Sequence, residues 1–402
     1  KWQKFLNGIR GGEQVEVDAA GRKISVISRK APISGENICL TIDKKLQDTA
    51  DKALDGKKGA IIAMDPCSGE ILALASAPPF DPNIFVGGID KSAWESMSNS
   101  SDYILQNRVL SGQYPPGSVF KIVMALAGLE EGIIDPEEEL VCTGEYALGD
   151  TVFRCWKKYG HGKVNLHKAI VESCDVYFYR LGRRLGVDTI AQYARMFGLG
   201  QVSGFDLGQE KEGLIPTSDW KISRWGLPWQ IGETISVSIG QSFVLVTPIQ
   251  AVSVISAVFN GGFLYRPQVI KWIGKAEGET VSSFIPKVNR TIPIKNENMR
   301  LVKVALTGVV NQPNGTGQMA RVDMISVAGK TGTAQVVSMA KDIDSRDIKK
   351  EVPVHLRDHA WFVAIAPQEN PRIALAIIIE NAGHGGSVAA PIAAQMIKTY
   401  LN

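Results

Sequence analysis

The chain has 402 residues, of which 45% are hydrophobic and 21% charged, the composition of an ordinary globular protein. Its 44 Lys and Arg residues nearly balance its 41 Asp and Glu residues, and the net charge of +3 gives no indication of binding to nucleic acid or to an anionic membrane surface. The apolar runs are shorter than the roughly 20 residues of a membrane-spanning helix, and five cysteines are too few for a disulfide scaffold.

The first 35 residues are punctuated by glycine and predict a short helix, an alternating stretch at 14–18 and a strand at 23–27. They contain too few apolar residues for a core, so we expect them to be the tail of another domain. A strand at 38–42 and an amphipathic helix at 44–54 follow. Two apolar strands, 59–64 and 70–75, are then joined by a turn with Pro66 and Gly69, which predicts a hairpin.

The C-terminal part predicts a second hairpin from the apolar runs 360–366 and 372–380, and a closing helix at 389–401. Strands at both ends of the chain with helical sequence between them indicate an α+β domain, whose antiparallel sheet is assembled from distant segments. Segment 338–350 is highly charged and is predicted to be a mobile loop.

A serine followed three residues later by a lysine places both side chains on one face of a helix. A neutral lysine can there deprotonate the serine and create a nucleophile. The spacing occurs at Ser118/Lys121, Ser218/Lys221 and Ser338/Lys341. Ser338 lies in the charged segment, and Ser218 is interpreted as a helix cap. Ser118 alone follows a tight Pro-Pro-Gly approach and opens an apolar helix, whose N-terminus offers free N–H groups to an oxyanion.

Two further motifs accompany this pair. Ser173-Cys174-Asp175 lies inside an amphipathic segment, 166–185, and Lys330-Thr331-Gly332-Thr333 lies between strand-like runs at 325–328 and 334–337. A lysine and two hydroxyls beside a glycine on a strand form an edge that can bind a carboxylate and pair with an extended peptide. The ordered set S-x-x-K, S-x-[ND], K-T-G is typical of serine acyltransferases.

With these motifs, residues 36–402 resemble the penicillin-binding protein transpeptidases, and more narrowly class B enzymes of the penicillin-binding protein 2 type. Further shared segments lie at 40–43, 63–66, 69–73, 114–118, 239–241, 247–250 and 385–391. The resemblance implies the penicillin-binding transpeptidase fold, an antiparallel sheet of about five strands flanked by helices, with a mainly helical subdomain. It also implies that residues 1–35 are a remnant of a membrane-proximal pedestal domain and that 36–402 form the transpeptidase domain.

The activity implied by the resemblance is that of a D,D-transpeptidase of cell elongation. Such an enzyme cross-links peptidoglycan stem peptides, is acylated by β-lactams and needs no cofactor for its chemistry. The implied roles are nucleophile for Ser118, neutral base for Lys121, proton relay for Ser173, and substrate carboxylate binding for Lys330, Thr331 and Thr333. Gly332 would let the substrate backbone approach closely. Asp175 stands where most relatives carry Asn. A carboxylate accepts hydrogen bonds but cannot donate them unless it is protonated, so the Asn's contact with a substrate amide is in question here.

Partners and location also follow from the resemblance. It implies partnership with a polytopic glycosyltransferase and an elongation-complex scaffold, with no nucleic acid partner. It further implies a periplasmic domain held by an inner-membrane anchor upstream of Lys1. A penicillin-binding sensor or a β-lactamase of the same fold would carry the same three motifs. A lactamase turns penicillin over, whereas a sensor or a transpeptidase stays acylated, and only a transpeptidase cross-links stem peptides.

Three cysteines and one histidine fall in one window, Cys142, Cys155, His161 and Cys174, with the spacing C-x12-C-x5-H-x12-C. Three thiolates and an imidazole make a complete tetrahedral set for structural Zn²⁺, and Cys174 is also the middle residue of the second motif. A Cys142–Cys155 disulfide, natural in an oxidising compartment, and reduced buried thiols remain as alternatives. Cys39 and Cys67 lie on or beside apolar strands and are predicted to be core residues.

Overall fold

The elements of the fold come from a computed structural model, which describes residues 2–275, 280–336 and 353–402. Its strands are, in chain order, β1 Gly12–Val17, β2 Lys23–Lys30, β3 Asn37–Leu40, β4 Gly59–Met64, β5 Ile71–Ala77, β6 Leu140–Cys142, β7 Glu145–Leu148, β8 Thr151–Arg154, β9 Gly162–Val164, β10 Phe263–Tyr265, β11 Ile270–Gly274, β12 Thr280–Ser283, β13 Val288–Thr291, β14 Ala328–Ala334, β15 His359–Ala366 and β16 Ile373–Ile379. Its α-helices are α1 Gln3–Leu6, α2 Lys44–Ala53, α3 Lys91–Ser98, α4 Arg108–Ser111, α5 Lys121–Glu130, α6 Leu166–Val171, α7 Asp175–Leu185, α8 Val187–Met196, α9 Ser218–Trp225, α10 Ile231–Val237, α11 Pro248–Phe259, α12 Asn296–Asn311 and α13 Gly385–Leu401. The predicted charged loop at 338–350, with the Ser338/Lys341 pair, lies outside the described residues.

An antiparallel five-stranded sheet in the order β14-β15-β16-β4-β5 forms the centre of the fold. Strands from both ends of the chain meet where β4 pairs with β16, with Ala63 opposite Leu375. Strands β4, β15 and β16 are buried almost throughout, and a strand covered on both faces consists of a continuous apolar run. The predicted α+β class and the sheet of about five strands are confirmed.

The two faces of this sheet pack against different helices. Along β4, Ile61 and Ala63 belong to a core that includes residues of α2 and α13, whereas Ile62 and Met64 belong to a larger core. Successive strand residues point to opposite faces, which explains this alternation. The larger core continues through α5–α8 and α10–α12, so the predicted mainly helical subdomain is also confirmed.

Two helix starts differ from the sequence prediction. The closing helix α13 begins at Gly385 rather than at residue 389 and runs through Pro391. The predicted cap Ser218 is instead the first residue of α9. Thr217 caps that helix, because its side chain accepts a hydrogen bond from the N–H of Trp220.

The prediction that Cys39 and Cys67 are core residues is wrong. Cys67 is exposed and Cys39 is only partly buried. Cys67 follows the end of β4 in the turn to β5, where the chain leaves the covered sheet and reaches the surface. An apolar strand nearby therefore did not predict burial of the thiol.

The N-terminal segment has no buried residue of its own, although the partly buried Trp2 and Phe5 pack against the larger core. Strands β1 and β2 pair only with each other, and none of residues 2–35 is buried. The predicted lack of a core in this segment is confirmed. Among the described residues, no helix has both the length and the apolar character that crossing a membrane requires.

Candidate active site

The sequence-predicted nucleophile, Ser118, lies on a short 3₁₀ turn, Gly117–Phe120, that leads directly into α5. The α-helix therefore begins at Lys121 rather than beside Ser118. Gly117 has a φ of +53°, a conformation that favours glycine. A Cβ at this position would lie 2.4 Å from Thr333 O. The glycine thus allows the turn that carries Ser118 to pack directly on β14.

The third motif lies on β14, which is an edge strand in the sheet order. Lys330 and Thr331 are buried, and Thr333 is half-buried. A Cβ on Gly332 would lie 2.8 Å from Pro116 O, so this glycine makes room for the chain's own turn before Ser118. An edge strand with free backbone groups is a surface on which an extended peptide can add a strand.

Ser173 lies in a break between α6 and α7, where the sequence indicated one amphipathic segment at 166–185. Its φ of +56° is uncommon for a residue with a side chain. In this conformation Ser173 Oγ accepts a hydrogen bond from Lys330 Nζ at 2.9 Å and lies 3.3 Å from Lys121 Nζ. Three of the four predicted catalytic side chains therefore meet at one point.

Asp175 joins this group through Lys121. Lys121 is fully buried, and its Nζ donates to Asp175 Oδ1 at 2.6 Å and to Ser173 O at 2.9 Å. Asp175 Oδ2 accepts a hydrogen bond from the backbone N–H of Trp156 at 2.9 Å. Both carboxylate oxygens are thus engaged by the protein. In the part of the chain that the structure describes, the hydrogen bonds of Lys121 Nζ do not include Ser118 Oγ.

The charges of this site are strongly coupled. Burial and the charge of Lys121 hold the pKa of Lys330 well below its usual range. Burial also raises the pKa of Asp175, although Lys121 opposes the shift. Two lysines and one carboxylate in a buried site cannot all be charged without a large desolvation cost. Burial therefore disfavours the charged form of Lys330 and the ionised form of Asp175.

The four predicted metal ligands, Cys142, Cys155, His161 and Cys174, form one buried cluster whose ligand atoms all lie within 4.8 Å of one another. His161 Nδ1 lies 3.6 Å from Cys142 Sγ and 3.5 Å from Cys155 Sγ. A tetrahedral Zn²⁺ with Zn–S bonds of about 2.3 Å and a Zn–N bond of about 2.0 Å has N···S edges of about 3.5 Å. The donor set and its spacing therefore fit a structural zinc ion.

The chemistry of the thiols is consistent with this fit. Hydrogen bonds from Cys174, and then from His161, lower the pKa of Cys142 and that of Cys155 to about 4. The same contacts with Cys142 and Cys155 raise the pKa of Cys174. Cys142 and Cys155 are thus disposed to be thiolates, which is the form that binds a metal, whereas Cys174 would lose its proton when a metal binds. All five cysteines lie within the described ranges and none of them forms a disulfide there, so the alternative Cys142–Cys155 bond is not formed in this structure.

Several residues at the site were not assigned a role from the sequence. Gln241 Nε2 donates to Thr333 O at 2.8 Å, and Thr316 Oγ1 lies 2.8 Å from Thr331 Oγ1. Both contacts brace β14 from segments that show no periodicity. The residues Ile239-Gly240-Gln241 belonged to the family resemblance, which was the one available signal for Gln241.

A buried ionic network supports the approach to Ser118. Glu380 Oε1 accepts hydrogen bonds from Arg108 Nε at 2.8 Å and from the Tyr114 hydroxyl at 2.7 Å. Trp361 Nε1 donates to Pro115 O at 3.1 Å. These contacts fix the residues before Gly117 to β15 and to the end of β16, so the nucleophile turn rests on the rigid central sheet.

Comparison with known proteins places this geometry in a family. A family model described as penicillin binding protein transpeptidase domain matches residues 59–398. The chain is 41% identical over 390 residues to the peptidoglycan D,D-transpeptidase MrdA of Acinetobacter baumannii, covering 96% of this chain and 57% of that relative. The chain thus spans less than two thirds of the length of this curated relative.

Comparison with solved structures indicates the same family. The crystal structure of Pseudomonas aeruginosa PBP2 in complex with WCK 5153 has a TM-score of 0.80 and 38% identity, covering 92% of this chain and 80% of that one. The complex between PBP2 and MreC from Helicobacter pylori has a TM-score of 0.84 and 31% identity, covering 100% of this chain and 71% of that one. The chain belongs to the penicillin binding protein transpeptidase family, and within it to the penicillin-binding protein 2 type.

Proposed function

We propose that the protein is a serine D,D-transpeptidase that cross-links peptidoglycan stem peptides and is acylated by β-lactams. One observation carries the proposal: Ser173 bonds both buried lysines. Its Oγ accepts a hydrogen bond from Lys330 Nζ at 2.9 Å, and its backbone O accepts one from Lys121 Nζ. Lys121 directly follows the turn that presents Ser118 to the edge of β14. The name of the Acinetobacter baumannii relative supports the same activity.

Acylation begins at Ser118. Its Oγ attacks the carbonyl carbon between two terminal D-alanines, and its proton passes to an uncharged Lys121 Nζ. Because this Nζ bonds Asp175 and Ser173 in the structure, it must turn towards Ser118 Oγ to accept the proton. The backbone N–H groups of Ser118 and Thr333 stabilise the oxyanion, where one donor is typically worth about 3–4 kcal/mol.

Ser173 and Lys330 act on the leaving group and the substrate. A proton delivered through Ser173 Oγ reaches the leaving nitrogen, the C–N bond breaks, and D-alanine departs. An amine of a neighbouring stem peptide then attacks the Ser118 ester, loses a proton and closes the cross-link, which regenerates the serine. Lys330, Thr331 and Thr333 bind the terminal carboxylate of the substrate, and the substrate backbone lies along the edge of β14.

A stem-peptide assay tests this function against its two alternatives. The protein is incubated with a pentapeptide ending in D-Ala-D-Ala and an acceptor amine, and D-alanine release and peptide dimers are measured. We expect both products from wild type and neither from Ser118→Ala. Stable penicillin binding without dimers would identify a sensor, and rapid penicillin hydrolysis would identify a β-lactamase.

We also propose a role in cell elongation, with a polytopic glycosyltransferase and an elongation-complex scaffold as partners. A structural neighbour, Helicobacter pylori PBP2, was solved in complex with MreC. This role requires a periplasmic domain on an inner-membrane anchor. In cells depleted of their own penicillin-binding protein 2, the full-length wild-type protein should restore rod shape and the full-length Ser118→Ala variant should not. Restoration by both would contradict a role for cross-linking.

The Cys142, Cys155, His161 and Cys174 cluster is proposed to hold a structural Zn²⁺. The metal would connect β6, β8 and β9 to the segment that carries Ser173 and would take no part in the reaction. Purified protein should contain one zinc per chain, and Cys142→Ser should lose it, whereas the exposed Cys67→Ser should keep it. Protein without zinc, or with two thiols missing by titration, would contradict the site.

The division into a pedestal remnant, 1–35, and a transpeptidase domain, 36–402, is likewise a proposal. The exposed β1–β2 sheet and the family match at 59–398 support it. Limited proteolysis should cut near residues 30–37 and leave a fragment that still binds penicillin. Cleavage that starts within 59–398 would contradict this boundary.

A further inference from the structure

Trp156 hydrogen-bonds the segment 172–175, which contains the Ser173 motif, at three points. Its backbone N–H donates to Asp175 Oδ2 at 2.9 Å. Its indole N–H is shared between two successive carbonyls, Glu172 O and Ser173 O, each at 3.1 Å. The residue follows Cys155 directly, and its ring packs against the His161 ring with centroids 5.5 Å apart. No motif or periodicity of the sequence indicated this residue.

The segment that Trp156 holds has an unusual conformation. Ser173 has a φ of +56° between two helices, and a serine adopts this conformation only where the surroundings impose it. Ser173 O accepts from the Trp156 indole and from Lys121 Nζ. The indole N–H therefore acts on the carbonyl of the residue whose hydroxyl meets both Lys121 and Lys330.

We propose that Trp156 is a positioning residue for acylation, an inference that rests on the proposed transpeptidase function. Its indole N–H fixes the turn at 172–174, so that Ser173 Oγ stays between the two lysines, and its backbone N–H orients the carboxylate that binds Lys121. The Trp156 residue is 55% exposed, so burial alone does not hold its side chain in place.

The change Trp156→Phe separates this role from simple packing, because phenylalanine keeps a ring beside His161 and removes the indole N–H. Stopped-flow acylation by a β-lactam gives the noncovalent dissociation constant and the acylation rate constant separately. We expect an acylation rate constant that is about three- to tenfold lower, the loss typical of one neutral hydrogen bond. The dissociation constant and the zinc content should stay at the wild-type values.

Trp225→Phe is the matched control. Trp225 is exposed to a similar degree, 47%, and packs against Trp220 and Phe243 rather than against the motif. It should acylate at the wild-type rate. A wild-type acylation rate constant for Trp156→Phe, a change confined to the dissociation constant, or a loss that appears only together with loss of zinc would overturn the proposal.

If Trp156→Phe does not fold, incorporation of β-(3-benzothienyl)alanine at position 156 keeps the shape of the indole and replaces its N–H by sulfur. The acylation rate constant should then fall by the same factor, and an unchanged rate constant would overturn the proposal. Failure of the transpeptidase proposal would look different. In that case wild-type protein would form no peptide dimers in the stem-peptide assay, whatever its acylation rate constant with the β-lactam.

Discussion

Two Ser-x-x-Lys pairs with the same spacing have different surroundings. In both, the lysine is buried, with Lys121 0% and Lys221 5% exposed. In both it pairs with a carboxylate, Lys121 with Asp175 at 2.6 Å and Lys221 with Glu233 at 2.5 Å. The spacing and the burial of the lysine therefore do not separate a reactive pair from a structural one.

The serines and their neighbours do separate the two pairs. Ser218 Oγ donates to Asp188 Oδ2 at 2.7 Å, and its N–H donates to Asp188 Oδ1 at 2.9 Å. That serine is therefore fixed in a helix-terminal hydrogen-bond pair. Ser118 instead lies on a tight turn that packs on β14, and its partner Lys121 bonds the Ser173 hydroxyl that the buried Lys330 also bonds. The comparison shows that these added groups distinguish the Ser118 site.

The largest expected difference concerns the two lysines. Lys121→Met should lower the acylation rate constant by about 10³-fold, the usual contribution of a general base. Lys221→Met should acylate normally but lower the free energy of unfolding by about 2 kcal/mol, because the partly buried Glu233 loses its partner. Stopped-flow acylation and urea unfolding of both variants measure this difference. Equal effects of the two changes on acylation would contradict the comparison.

A smaller effect on the free energy of unfolding is expected from replacing the glycines that border the two helices. Gly117 precedes Ser118, and Gly226 follows the last residue of α9. Gly117→Ala should lower the free energy of unfolding by about 2–4 kcal/mol, since the new Cβ would meet Thr333 O and alanine is strained at this positive φ. Gly226, at the end of α9, has a φ of +67° and open space around it. Gly226→Ala should therefore cost about 1 kcal/mol, and equal losses in urea unfolding would contradict the packing of the Ser118 turn.

The smallest effect is a pH dependence of the free energy of unfolding, which Lys330 imposes through its lowered pKa. Because the pKa of Lys330 is lowered in the folded protein, the unfolded chain binds more protons at this residue. Stability should therefore rise with pH towards the ordinary lysine pKa of about 10.4, by at most about 1.4 kcal/mol per pH unit. Relative to Lys330→Met, wild type should gain stability between pH 7 and 9.5 in urea unfolding. A constant or opposite difference would contradict the shift.

The sequence predicted the hairpins β4–β5 and β15–β16 to within two residues, because covered strands are apolar runs bounded by turn residues. It also predicted that Cys142, Cys155, His161 and Cys174 lie together, as they do in the structure. The break at Ser173 could not be predicted, since the apolar pattern continues through it and tertiary hydrogen bonds impose its backbone conformation. The same holds for Trp156, a loop residue whose partners are distant carbonyls and a carboxylate.

The proposed reaction depends on Ser118, and not Ser218, as the nucleophile. The most direct measurement is mass spectrometry of protein treated with benzylpenicillin and digested, applied to wild type, Ser118→Ala and Ser218→Ala. We expect a penicilloyl group on the peptide that contains Ser118 in wild type and in Ser218→Ala, and none in Ser118→Ala. A penicilloyl group that persists in Ser118→Ala, or that maps to the peptide with Ser218, would contradict it.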